Sequence, residues 1–257
     1  MTFRSVAVAA VTGVIVVALL YALVYPGLAA GGQFWLNAVA RVGMLGLVAI
    51  CAALAAHAFG WWSEYVGRAW TLFFIEYALL TVSELLRRAA PDTASLASGV
   101  LVIVANLAGI GAYVLMARWL DAAGLGDYTT RGRKLFTAAI ALIVAAALCW
   151  GPIVSASSVN GLVSPLADVI TFVLVAPLLL TVIALRGGQL FWIFALLTAG
   201  TIGWMVNQGA STILRAIGAG EDAMRTGRMT GFAMACFLIA AAAFTQWLAA
   251  HRATLSS

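Results

Sequence analysis

Read for its succession of apolar and polar positions, the chain divides into eight long apolar runs: Val6–Ala29, Ala40–Gly60, Trp70–Leu86, Ala97–Leu120, Leu135–Val154, Val163–Leu185, Leu190–Leu214 and Thr230–Ala250. About 20 such residues carry a helix across a roughly 30 Å hydrocarbon core. A helix also satisfies its own backbone hydrogen bonds, which lipid requires of any spanning segment. The pattern therefore predicts an all-α polytopic membrane protein with eight transmembrane helices. Gln33 to Arg41 reads either as an interfacial turn or as the first turns of a longer second helix, and seven helices is the alternative count. Arg4 before the first run invites a signal-peptide reading. Leu19 to Val24 prolongs the run beyond an ordinary signal core, so the first helix is expected to stay in the protein.

Composition agrees with the pattern. Of 257 residues, 64% are hydrophobic and 9% charged, with a mean hydropathy of +1.06. A soluble domain of this size carries about a quarter charged residues, so this chain has too few to coat a water-facing surface. It reads as a single integral membrane domain over residues 1–257, with the lipid bilayer as its first partner. The net charge of +5 follows the connections and gives no reason to expect nucleic acid. On alternate connections, one side collects Arg4, Arg68, Arg118, Arg131, Arg133, Lys134, Arg186 and Arg252, and the other Arg41, Arg87, Arg88, Arg215, Arg225 and Arg228. The excess favours both termini in the cytoplasm of a cell inner membrane. The densest run, Arg131 to Lys134, also suits anionic headgroups. Cys51, Cys149 and Cys236 all fall in apolar runs, as small buried hydrophobes do.

The runs recur. At an offset of 128, Leu86-Arg87 lies over Leu214-Arg215 and Trp119 over Trp247; at 127, Arg4 meets Arg131 and Gly60 meets Gly187. Tyr25-Pro26-Gly27 resembles Trp150-Gly151-Pro152 as a helix break. The expectation is two parallel four-helix repeats, 1–128 and 129–257, related by an axis along the membrane normal, with a site between them.

Polar residues at membrane depth are the candidates for chemistry. Glu76 lies in Phe73-Phe74-Ile75-Glu76-Tyr77-Ala78, where a lipid-facing carboxylate is expensive. It should face protein or a water-lined cavity, as a ligand anchor, a proton carrier or a packing carboxyl. Tyr77, Thr81, Glu84 and Arg88 recur on one helical face, with Glu84 and Arg88 spaced for an i,i+4 ion pair near a solvated end. The seventh run carries Thr201, Trp204, Gln208, Ser211 and Arg215 on a similar strip beside Asn207, which can hold helices together or line a binding site; Asn106 completes the deep polar set. Together Glu76, Tyr77, Asn106, Trp204, Asn207 and Gln208 form the candidate ligand or proton site. Arg41 and Asp168, 127 positions apart, are a candidate gate or structural ion pair, and Glu84 and Arg88 a second tier. Trp35, Trp61, Trp62, Trp70, Trp119, Trp150 and Trp247 fall near run ends, as aromatic belts do.

His57 and His251 are not placed for haem ligation, no metal spacing or phosphate loop occurs, and the sole lysine, Lys134, sits at a helix boundary away from the last runs. No cofactor or catalytic constellation is called for; a bound lipid or small apolar ligand fits the strip around Trp204. The favoured reading is a small-molecule-binding transporter or permease-like protein, proton-coupled through Glu76. The alternative is a membrane sensor or accessory subunit that binds an apolar or aromatic ligand and signals through a partner protein or a second copy; an intramembrane lipid-modifying enzyme ranks below both. Arg186-Gly187-Gly188-Gln189-Leu190-Phe191-Trp192 resembles connections in helix-rich sensory regions of bacterial signalling proteins. That likeness covers one connection and one helix and assigns no family.

Overall fold

The computed structural model describes residues 2–90, 95–125, 129–183 and 188–255, and its described residues form an all-helical bundle. The helices are α1 (Phe3–Leu19), α2 (Ala30–Ala58), α3 (Tyr65–Ala89), α4 (Ser95–Ala122), α5 (Arg131–Val154), α6 (Val159–Ile183), α7 (Gln189–Ala216) and α8 (Glu221–Leu255). All eight are long and apolar enough to cross a membrane, α1 counted with the turns that follow it. Large apolar side chains such as Leu23, Ile143 and Leu96 point outward. Such a surface is unfavourable in water and ordinary in lipid. Arg186 and Gly187, part of the connection that resembles sensory regions and of one repeat match, lie outside the described residues.

The ambiguous stretch from Gln33 to Arg41 is helical, and α2 runs unbroken from Ala30. What precedes it is shaped by Pro26, which has no N–H to continue a helical ladder. The end of α1 passes through a π turn at Leu20–Val24 and a 3₁₀ turn at Tyr25–Gly27. This brings Tyr21 and Tyr25 into a stack 5.1 Å apart. Asn37 of α2 accepts from Tyr21 Oη at 2.7 Å and donates to Tyr25 Oη at 2.9 Å, fastening the turn to the next helix.

The helix pairings are α2 with α3, α3 with α4, α6 with α7 and α7 with α8, together with α2 with α8 and α4 with α6. Each of these has a counterpart four helices on. Corresponding helices also begin at similar offsets: 128 for α1 and α5, 129 for α2 and α6, 124 for α3 and α7, and 126 for α4 and α8. The outermost helices depart from the scheme. Helix α1 lies mainly on α8, whereas α5 packs on α6 and α7.

The closest seam is between α7 and α8. A Cβ at Gly203 would collide with the backbone of Ala235, and one at Gly231 with the backbone of Asn207. Small residues let two helices approach closely where lipid offers no hydrophobic drive. The plug beside the amino-terminal half of α3 is dense: Trp70, Phe73, Met116, Phe194, Leu197 and Ile239 have almost no exposed surface. Trp70 therefore corrects the belt expectation. It is fully buried and tilted against Phe73 at 5.2 Å, because α3 begins at Tyr65 and places it more than a turn inside the helix.

Candidate functional site

Six helices, α2 to α4 and α6 to α8, surround a cavity of about 640 Å³ that opens at the end of the bundle where α3 and α7 finish and α2 and α8 begin. Its depth can be read from helical rise. Glu84 is five residues from the end of α3 and Glu76 thirteen, so at about 1.5 Å per residue their backbone levels lie about 12 Å apart along the axis.

At the mouth lies a vestibule of about 570 Å³ lined by Arg41, Arg87, Arg88, Arg215, Arg225 and Arg228, with Glu84 and Glu221 as its acidic residues. These six arginines are all the basic residues that the alternating connections assign to this face. Glu84 anchors three of them. Arg88 approaches its Oε1 with Nη2 at 2.6 Å and Nε at 3.1 Å, Arg41 Nε stands 3.4 Å away, and Arg87 binds Oε2. The i,i+4 spacing of Glu84 and Arg88 predicts their pair. The solvated end expected for Glu84 is not found: its side chain is only 6% exposed. Arg41 also lies over the Phe232 ring at 4.7 Å, so it ties α2 to both α3 and α8.

The expected Arg41–Asp168 ion pair does not form. Both line the cavity, but Arg41 turns to Glu84 while Asp168 Oδ2 accepts from Gln208 Nε2 at 3.1 Å. Pro165, one turn before Asp168, has no N–H to give the Gly161 carbonyl, and both residues line the same wall. Asn106 donates to Val102 O at 2.9 Å and to Ser164 Oγ at 3.4 Å, bridging α4 to α6.

The floor is a chamber of about 20 Å³, large enough for one water. Glu76 and Asp168 both border it, as do Tyr77, Asn106 and Trp204. The Glu76 carboxyl lies against Gly109 of α4, where an added Cβ would stand 2.6 Å from Cδ. Its Oε2 is buried without a hydrogen-bond partner. Trp204 Nε1 donates to Tyr77 Oη at 3.0 Å, and Tyr113 and Thr201 hydroxyls share a bond of 2.8 Å, closing the chamber toward the dense plug.

The structure thus brings Glu76, Asn106, Asp168, Trp204, Asn207 and Gln208 to one cavity, with Tyr77 on its floor. Arg215, on the polar strip of the seventh run, does line the vestibule, whereas sequence reasoning missed Arg225 and Arg228 as site residues. It also missed the serines Ser98, Ser158 and Ser164 that line the wall. Among the described residues, no group of three His, Cys, Asp or Glu is placed to hold a metal ion. The three cysteines are buried free thiols. Neither protein-family profiles nor curated proteins nor solved structures give a match to this chain.

Proposed function

We propose that this protein is a permease-like membrane carrier that binds a small molecule in the central cavity, with Glu76 and Asp168 as its proton-exchanging carboxylates. The observation that carries the reading is the shape and polarity of the path: an arginine-rich mouth, a cavity between two sets of three helices, and a blind floor where two carboxylates share a one-water chamber. Ionisable groups facing a cavity within a membrane are costly, and substrate or proton pathways are where they are found. A carrier open to one side has this form. With both termini at the cytoplasmic face of an inner membrane, as the charge count favours, the mouth opens away from the cytoplasm.

Native mass spectrometry of gently purified protein, joined to an ultraviolet–visible spectrum, tests for a retained ligand. Uptake into proteoliposomes then tests transport. Glu76→Gln is expected to insert normally and to lose the pH dependence of binding or exchange. Unchanged pH dependence in a well-folded Glu76→Gln protein rules out that role. The dense plug beneath the chamber favours a second reading, a ligand-binding sensor that never opens to the other side. Binding without exchange, in company with a stoichiometric protein partner, would select it.

A further inference from the structure

The arginines lining this cavity near its mouth, two of which pair with Glu84, do not meet the carboxylates at its floor. Arg228, exposed at the mouth, makes no ion pair among the described residues, and the buried Arg41 Nε has no hydrogen-bond partner despite its position 3.4 Å from Glu84. At the other end, Glu76 Oε2 is buried and unpartnered, and Asp168 has the neutral amide of Gln208 as its donor. Buried polar groups without partners are costly, and charges in a low-dielectric cavity act on each other and on a ligand far more strongly than in water. An Arg41–Asp168 pair would discharge this field, yet each of the two residues is held by a different neighbour. Between the two ends one strip of the wall is apolar, where Trp204 and Phe232 meet edge to face at 5.4 Å with Leu45, Leu80 and Val102, while Ser98, Asn106 and Ser164 make the rest polar.

We infer that the ligand is an elongated zwitterion, with a carboxylate or similar anion held by Arg41 and Arg228, an apolar spacer along Trp204 and Phe232, and a protonated amine at Asp168 and Glu76. This rests on the reading that the cavity holds a small-molecule ligand, and it names the class. The axial separation of about 12 Å between the Glu84 and Glu76 levels sets the scale. An anion and an amine on the same carbon are too close together to reach both ends. A chain of several methylenes between them is required.

The test uses the full chain in a non-ionic detergent and calorimetric titration with ω-amino acids of four to ten carbons. Each is compared with the alkanoate and the alkylamine of the same length. At one of the longer lengths, the ω-amino acid is expected to bind at least tenfold more tightly than either singly charged analogue. Asp168→Asn should abolish its advantage over the alkanoate, and Arg228→Gln its advantage over the alkylamine. Equal or tighter binding of the alkanoates or of the alkylamines overturns the zwitterion and leaves a ligand site of one charge. If no series binds but native mass spectrometry finds a retained molecule, the class is wrong and the ligand-binding reading stands. If neither gives a ligand, both fall.

Discussion

Tyr77 and Trp204 meet across the floor of the cavity, the indole N–H donating to the phenol oxygen at 3.0 Å, and they stand 127 positions apart in the chain. Under a duplication with that offset they are each other's counterparts, and a contact between counterparts lies on the axis relating the halves. A hydrogen bond between two neutral groups contributes about 1 kcal/mol net, and contacting residues couple on that scale. A double-mutant cycle with Tyr77→Phe and Trp204→Phe, read by unfolding in mixed micelles, is expected to give a coupling of about 1 kcal/mol. Additive effects would mean that the two side chains do not share this bond.

Glu84 holds three guanidinium groups while itself almost fully buried. Removing its charge leaves Arg41 and Arg88 facing each other without a counter-ion. Breaking a buried pair from one side costs about 3–5 kcal/mol. Glu84→Gln should fall near the lower end, because Arg87 is 54% exposed and retains its water. Arg87→Gln, a surface partner, should cost less than about 1 kcal/mol. Similar losses for the two variants would show that Glu84 is not the hub.

Gly109 leaves room for the Glu76 carboxyl. Gly109→Ala forces that carboxyl to move, at a cost of about 1–3 kcal/mol for overpacking. It should reduce ligand affinity at least tenfold. Gly43→Ala offers the contrast, since a Cβ there meets nothing within 4 Å, and it is expected to be neutral or mildly stabilising. Native affinity in a folded Gly109→Ala protein would detach Glu76 from the ligand.

Thiol labelling tests the shape of the path. The native thiols Cys51, Cys149 and Cys236 are buried and should resist a membrane-impermeant reagent. Ser158→Cys at the rim and Ser164→Cys in the wall should react from the mouth side alone. A negatively charged reagent should outpace a positively charged one at Ser164→Cys, because it passes the arginines first. Equal rates from both faces would mean a channel that is open at both ends.

The eight helices were legible because each apolar run is bounded by short polar breaks, and lipid leaves a run of that length little other choice. Glu76, Asp168 and Gln208 stood out because polar groups are rare within such runs. The vestibule was not legible. Its arginines come from four helices, α2, α3, α7 and α8, and local spacing links only Arg87 and Arg88 to Glu84. Arg41, 43 positions before Glu84, reaches it through packing alone. Counted along the chain, Arg225 and Arg228 serve only as evidence of orientation. Trp70 reads as a belt residue because the third apolar run starts there, whereas the helix extends back past Arg68 to Tyr65.

Helix α8 has 35 residues, which at about 1.5 Å each span about 52 Å, far more than a hydrocarbon core of roughly 30 Å. Its first turns, with Arg225 and Arg228, therefore stand in the headgroup layer and the water beyond it. Glu221 and Asp222 balance the charge of that pair, so the positive excess at the mouth comes from Arg41, Arg87, Arg88 and Arg215 over Glu84. Their field extends a Debye length, about 8 Å at physiological salt, so it gathers anions before they touch the protein. Association of a singly charged alkanoate with the mouth should slow as ionic strength rises, while that of a net-neutral ω-amino acid changes little.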